Sequence, residues 1–173
     1  TGKNATDSAM IIDAMDILYS EKVNGFCLVS SDSDFTKLAT RLREAGMKVI
    51  GIGEKKTPNP FIVACDKFIY IEILRKKSTK KENTNQKEKD SIDKITSKVI
   101  TLISSTIADL SDEDGWAFLG DVGSLLQKKQ PNFDSRNYGF EKLTPLIKSI
   151  GKFELEQREN PKSKHKLIFV KKK

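Results

Sequence analysis

The chain has 173 residues, 37% hydrophobic and 32% charged, enough to fill one core or two small ones under a well-solvated surface. Its two cysteines lack metal-ligand spacing and its one histidine is His165, which excludes a structural zinc site of four Cys/His ligands. No signal-peptide pattern and no membrane-length apolar run is present, so the sequence reads as cytoplasmic, without a membrane partner.

The net charge of +7 is unevenly spread. Residues 1–74 carry nine basic and ten acidic side chains, whereas residues 75–173 carry 22 and 14. An acidic site tethered to a basic module suits a metal-dependent enzyme acting on a polyanion. Lysine-rich segments that serve only solubility would give the same balance.

In chain order, Thr1 to Thr6 is polar, and Thr6 or Asp7 could cap a helix over about 8–20, with Ile11, Ala14, Met15 and Leu18 on one face. Asn24-Gly25 turns the chain into a buried strand at 26–30. Ser30-Ser31-Asp32-Ser33-Asp34 follows, then a helix over about 34–45 marked by Phe35, Leu38, Ala39 and Leu42 and closed by Gly46. Lys48 to Gly53 is a second strand, Phe61, Ile62 and Ala64 mark a short helix, and Phe68 to Leu74 is a third strand. Strands alternating with helices imply a parallel sheet with right-handed crossovers. Cys27 and Cys65 are expected as small buried hydrophobes of a reducing compartment.

The turn at Asp32 and Asp34 lies at the carboxyl end of a strand, where open α/β sheets place their chemistry. Three roles suit it. Asp and Ser before a helix satisfy its free N–H groups. A few carboxylates hold a hard divalent cation such as magnesium. Asp32-Ser33-Asp34-Phe35-Thr36 also matches an Asp-x-Asp-x-Thr phosphatase nucleophile in letters, although residues 66–74 lack the adjacent acids that class wants. Asp7 is open to the same choice of helix cap or ligand, and Asp13 and Asp16 fall at spacings that face solvent.

Four segments together resemble the NYN domain, a LabA-like branch of the PIN-like nuclease superfamily, over about residues 2–74. They are Lys3 to Asp7, Ile12-Asp13-Ala14-Met15, Phe26 to Phe35, and Gly51-Ile52-Gly53-Glu54-Lys55-Lys56-Thr57-Pro58. The resemblance implies a Rossmann-like sheet and magnesium- or manganese-dependent RNA cleavage, with Asp7, Asp32 and Asp34 as catalytic metal ligands. The family's first strand carries a further aspartate in an Asp-x-x-Asn-type motif, which has no counterpart here. Three strands are thin for this fold and the chain opens without methionine, so an upstream strand is expected to be missing. An open sheet edge would favour a homodimer.

Residues 75–90 carry seven basic and three acidic side chains and no large hydrophobe, the composition of a flexible linker. From Ser91, the residues Ile92, Ile95, Val99, Leu102, Ile103 and Ile107 give a long amphipathic helix. Trp116, Leu119, Val122, Leu125 and Leu126 form a second helical stripe, on which Trp116, like Phe140 further on, reads as core rather than as a base-stacking platform. A third helix carries Phe140, Leu143, Leu146, Ile147 and Ile150, with Pro145 acceptable only near its first turn. Strands at Phe153–Glu156 and Leu167–Val170 complete a winged helix-turn-helix.

Asp114 to Gly123, with Pro131, Phe133, Asp134, Arg136, Tyr138, Gly139, Phe140, Lys142 and Leu143, resembles the OST-HTH or LOTUS domain over about residues 111–172. The resemblance implies RNA binding and, in some members, a protein partner. Arg136, Lys142 and the hairpin lysines Lys162, Lys164 and Lys166 suit phosphates, and Tyr138 suits a stacked base. His165 reads as a surface residue.

The expectation is a PIN-like α/β domain at 1–74 lacking its first strand, a linker at 75–90 and a winged-helix domain at 91–173. Together they would form a Mg2+- or Mn2+-dependent ribonuclease whose second domain delivers RNA. The alternative is an RNA-binding or regulatory protein whose nuclease fold is inactive, and the phosphatase is a distant third.

Overall fold

The computed structural model of the chain describes residues 3–75, 92–159 and 166–173. The chain divides into two compact units, residues 1–80 and 81–173. The expected linker, apart from the backbone of Arg75, lies outside the described residues, as do Lys162, Lys164 and His165. Among the described residues, no helix is long and apolar enough to cross a membrane.

In the first unit, α1 (Lys3–Tyr19) precedes β1 (Gly25–Val29). A 3-10 turn (Ser33–Phe35) leads into α2 (Thr36–Glu44), followed by β2 (Lys48–Gly53), α3 (Asn59–Ala64), β3 (Lys67–Tyr70) and α4 (Ile71–Arg75). The three strands form a parallel sheet in the order β1-β2-β3, with Leu28 opposite Gly51 and Gly53 opposite Tyr70. Crossovers through α2 and α3 follow from that parallel pairing, because parallel neighbours cannot be joined by a tight turn. The core gathers Leu28, Phe35, Leu38, Leu42, Val49, Phe61 and Phe68 with Ala14 and Leu18 of α1. Gly46, at φ +82°, supplies the left-handed residue after α2 that the sequence predicts.

Several expectations are corrected. The first helix begins at Lys3, so Thr6 and Asp7 lie inside it and cap nothing. On that helix Ile11 is exposed, and Met10 packs on the core with Ala14, Met15 and Leu18. The first strand is not buried on both faces: among the described residues β1 is a sheet edge, and Cys27 and Val29 are exposed while Leu28 is buried. The third strand stops at Tyr70 rather than Leu74. Its partner β2 ends at Gly53, so no ladder continues and residues 71–75 coil into α4.

The two thiols therefore differ. Cys65 is buried with its Sγ 3.3 Å from the Phe61 carbonyl, and burial pushes its pKa up to about 11. The thiolate is the reactive form, so at neutral pH a haloacetamide should alkylate Cys27 in the native protein and Cys65 only after unfolding. Peptide mass mapping distinguishes the two, and equal native labelling would contradict this burial.

The second unit runs α5 (Ser97–Leu110), β4 (Trp116–Phe118), α6 (Leu119–Lys129), a 3-10 turn (Ser135–Tyr138), α7 (Leu143–Ile150), β5 (Phe153–Glu159) and β6 (Lys166–Lys172). Its sheet is antiparallel in the order β4-β6-β5. Ile103, Ile107, Val122, Leu126, Leu146, Ile147 and Val170 form the centre of its core. The helix expected from Ile92 starts at Ser97, because the Asp93 N–H donates to the Asn137 carbonyl at 2.8 Å and holds the lead-in segment out of helix. Pro145 is the third residue of α7, within the turn whose N–H groups lack intrahelical acceptors. The helical stripe expected from Trp116 begins instead at Leu119. Trp116, Ala117 and Phe118 pair with Lys171, Val170 and Phe169, so their burial follows a period of two and Trp116 is only half-buried.

Candidate functional site

The carboxyl end of the parallel sheet is built from short backbone tethers. The Ser30 N–H donates to the Ile52 carbonyl at 2.9 Å, extending the β1–β2 pairing one residue beyond β1. The chain then bends. The Asp32 N–H reaches Ser30 Oγ at 3.1 Å, and the Asp34 N–H reaches Asp32 Oδ1 at 3.0 Å. Asp32 thus caps the 3-10 turn through one oxygen, as a short acidic side chain before a helix should. Phe35, 4% exposed, plugs the following turn into the core and fixes the loop from below.

Asp34 and Asp32 are exposed and Asp7, from the second turn of α1, is half-buried beside them. One carboxylate oxygen from each lies within 4.8 Å of the other two. Oxygens around an octahedral Mg2+ at about 2.0–2.1 Å lie about 2.9 Å apart when adjacent and about 4.2 Å when opposite, so the trio would draw closer on one ion. Three carboxylates are the hard donor set that Mg2+ and Mn2+ prefer, and a cation would relieve their mutual repulsion. Capping and cation binding are compatible here, because the cap leaves Asp32 Oδ2 free of that bond. Asp13 and Asp16 are exposed elsewhere on α1 and do not join the cluster.

Neighbouring residues that the sequence assigns no role at the site shape the rim. Ser31 Oγ accepts the Glu54 N–H at 2.8 Å, tying the acidic loop to the turn after β2. Glu72 Oε1 accepts the Lys55 N–H at 3.0 Å, tying that turn to the start of α4. Thr57 Oγ1 donates to the Glu54 carbonyl at 2.6 Å and closes the turn internally. Lys56 Nζ sits 2.6 Å from Glu54 Oε2, and that bond raises the ammonium pKa above its ordinary value. Backbone-to-side-chain bonds of this kind leave no periodic trace in a sequence.

In the second unit the predicted contacts differ in availability. Asp134 caps the 3-10 turn and also grips Arg136, with Nε 2.9 Å from Oδ1 and Nη2 2.6 Å from Oδ2. That pairing raises the guanidinium pKa, and a phosphate would meet only the N–H groups that remain. The Tyr138 ring lies 6.0 Å from Phe133, centroid to centroid, and packs against the core, so only part of it could receive a base. Lys142 and Lys166 are exposed.

Comparison with known proteins adds two family matches. The NYN domain matches residues 1–72, and the OST-HTH/LOTUS domain matches residues 90–165. No curated protein matches the chain. A solution NMR structure of an uncharacterized protein of Nitrosomonas europaea is 30% identical, with the match covering 56% of this chain and 90% of that chain at a TM-score of 0.43. The chain joins an NYN domain to an OST-HTH/LOTUS domain, in that order.

Proposed function

We propose that this protein is a metal-dependent ribonuclease, with a nuclease domain at 1–74, a connecting segment at 75–90 and an RNA-binding winged-helix domain at 91–173. The observation that carries this is the convergence of Asp7, Asp32 and Asp34 from a helix, the cap of a 3-10 turn and the turn itself. NYN domains are nuclease-like and generally depend on a divalent metal, and LOTUS domains bind RNA, which supports a ribonuclease or RNA-binding role. Asp7, Asp32 and Asp34 would hold Mg2+ or Mn2+. A bound divalent cation would polarise the scissile phosphoryl group and lower the pKa of a coordinated water toward neutrality.

The protein's own part is positioning. The Asp32 cap and the Phe35 plug hold two of the three carboxylates at fixed spacing, while the Ser31–Glu54 bond keeps the neighbouring turn at the rim. Arg136, Tyr138, Lys142, Lys162, Lys164 and Lys166 are the proposed RNA contacts of the second domain. Covalent connection raises the local concentration of any RNA held there at the acidic site.

Labelled single-stranded RNA incubated with the chain and manganese tests the proposal. It predicts cleavage that requires the cation and stops on chelation. RNA binding without cleavage at any manganese concentration would instead support the RNA-binding, catalytically inactive alternative.

A further inference from the structure

The sheet of the second unit has an outward face built in part from the Asp114–Gly123 stretch. Along β4, Ala117 is buried while Trp116 and Phe118 are half-buried; along β6, Val170 is buried while Phe169 and Lys171 are half-buried. Strand alternation therefore places Trp116, Phe118, Phe169 and Lys171 on the side opposite the core, together with Glu156 and Arg158 of β5. None of the three rings belongs to the core cluster.

These side chains touch one another. Phe118 and Phe169 oppose each other across the strands with centroids 5.8 Å apart. The Arg158 guanidinium lies over both Trp116, at 5.2 Å, and Phe169, at 4.3 Å, and Lys171 Nζ is 5.9 Å from the Trp116 centroid. Glu156 anchors the guanidinium through two contacts, 3.2 Å from Nε and 3.3 Å from Nη2. A cross-strand aromatic pair by itself is ordinary sheet stabilisation. That role does not call for a tryptophan beside the pair, nor for a guanidinium fixed over both rings.

The ring faces, rather than charge, decide what the face could take. Arg158 and Lys171 are met there by Glu156, Asp112, Asp114 and Glu154, four carboxylates to two cations, so the platform itself offers no positive patch. It offers ring faces and a guanidinium, the two surfaces on which unstacked bases rest. On this side the cations nearest an adjoining phosphate are Lys171 and, beyond β6, the exposed Lys173, whereas Lys172 pairs with the buried Phe153 on the core side of the sheet.

We propose that this sheet face is a stacking platform for an unpaired base of single-stranded RNA, with Trp116, Phe169 and Arg158 receiving the base and Lys171 and Lys173 the flanking phosphates. The proposal rests on the RNA-binding role of this unit and is separate from the contacts named above for it.

Trp116 is the chain's one tryptophan, so its emission reports on this face alone. The full chain, in EDTA to prevent cleavage, is titrated with a short single-stranded oligoribonucleotide while fluorescence and anisotropy are followed together. Trp116 emission should be quenched in step with binding. Trp116→Ala should weaken binding by about tenfold with its salt dependence unchanged, whereas Lys173→Gln should lower the salt slope by about one. RNA binding at full affinity with Trp116 emission unchanged would overturn the platform and leave the RNA-binding role standing. Absence of any RNA binding would overturn both. Quenching by an arginine-rich peptide but not by RNA would assign the face to a cationic protein segment instead. The emission of the unaltered protein decides the matter even if the alanine variant fails to fold.

Discussion

Replacing Asp34 or Asp32 by asparagine should reduce manganese-dependent RNA cleavage by more than about 100-fold. Groups that merely orient a metal ligand contribute about 10–100-fold, and these two aspartates are themselves the proposed ligands. The two substitutions separate the competing roles of the acidic loop. Asparagine caps a helical turn about as well as aspartate does, so Asp32→Asn keeps the bond from the Asp34 N–H and should leave the unfolding midpoint nearly unchanged. Unaltered stability with lost cleavage assigns the carboxylate charge to a cation. RNA binding should stay within about twofold of the parent, because the proposed RNA contacts lie in the other unit. Asp16→Asn, exposed and outside the cluster, serves as the control that should cleave normally. Cleavage by Asp34→Asn at the parental rate would remove that aspartate from the site.

The second large effect is expected at Phe35. Its side chain is 4% exposed and belongs to the core of the first unit, directly between Asp34 and the start of α2. Truncating a buried phenylalanine to alanine costs about 3–5 kcal/mol through lost transfer energy and the cavity left behind. That is a large share of the roughly 5–15 kcal/mol that holds a typical domain together. Phe35→Ala should therefore lower the urea midpoint of the first unit sharply and weaken manganese binding in the molecules that remain folded. Phe35→Leu, which keeps most of the volume, should restore both. A Phe35→Ala protein that is destabilised yet binds manganese normally would show that the plug supports the fold but does not position Asp32 and Asp34.

The parts of the fold that were legible in the sequence are those where local punctuation and burial agree. Phe26 to Phe35 reads correctly as strand, acidic turn and helix, because an apolar run, a capping-type cluster and a three-four spacing follow one another without overlap. Lys48 to Gly53 is bounded as predicted, since Gly46 and the loop after Gly53 mark both ends. Where the two periods coincide, the sequence misleads. Trp116 and Leu119 are three apart, as on a helix, but Trp116 and Phe118 are two apart, as on a strand. Only the partner β6, some fifty residues later, selects the strand. That is why Trp116 was expected in the core and stands instead on the outward face.

The same limitation applies at β1 and β3. An apolar strand is expected to be buried, but whether it lies at an edge depends on which strands flank it. Among the described residues β1 pairs only with β2, and Cys27 and Val29, on the face opposite the buried Leu28, are exposed. β3 ends where its neighbour ends, which the apolar run through Leu74 cannot announce. At the acidic site, Asp32 and Asp34 were visible as a pair, and Asp7 entered through resemblance to the NYN domain. Its position inside a helix rather than at a cap needed the structure, as did the engagement of Arg136 by Asp134.

The most direct test of the central claim is a titration of the chain with Mn2+ followed by electron paramagnetic resonance, in which free and bound ions are counted separately. The account predicts saturable binding at a site that is lost in Asp7→Asn, Asp32→Asn and Asp34→Asn and retained in Asp13→Asn. Equal binding in all five proteins, or none in the parent, would contradict the assignment of these three carboxylates to a metal centre.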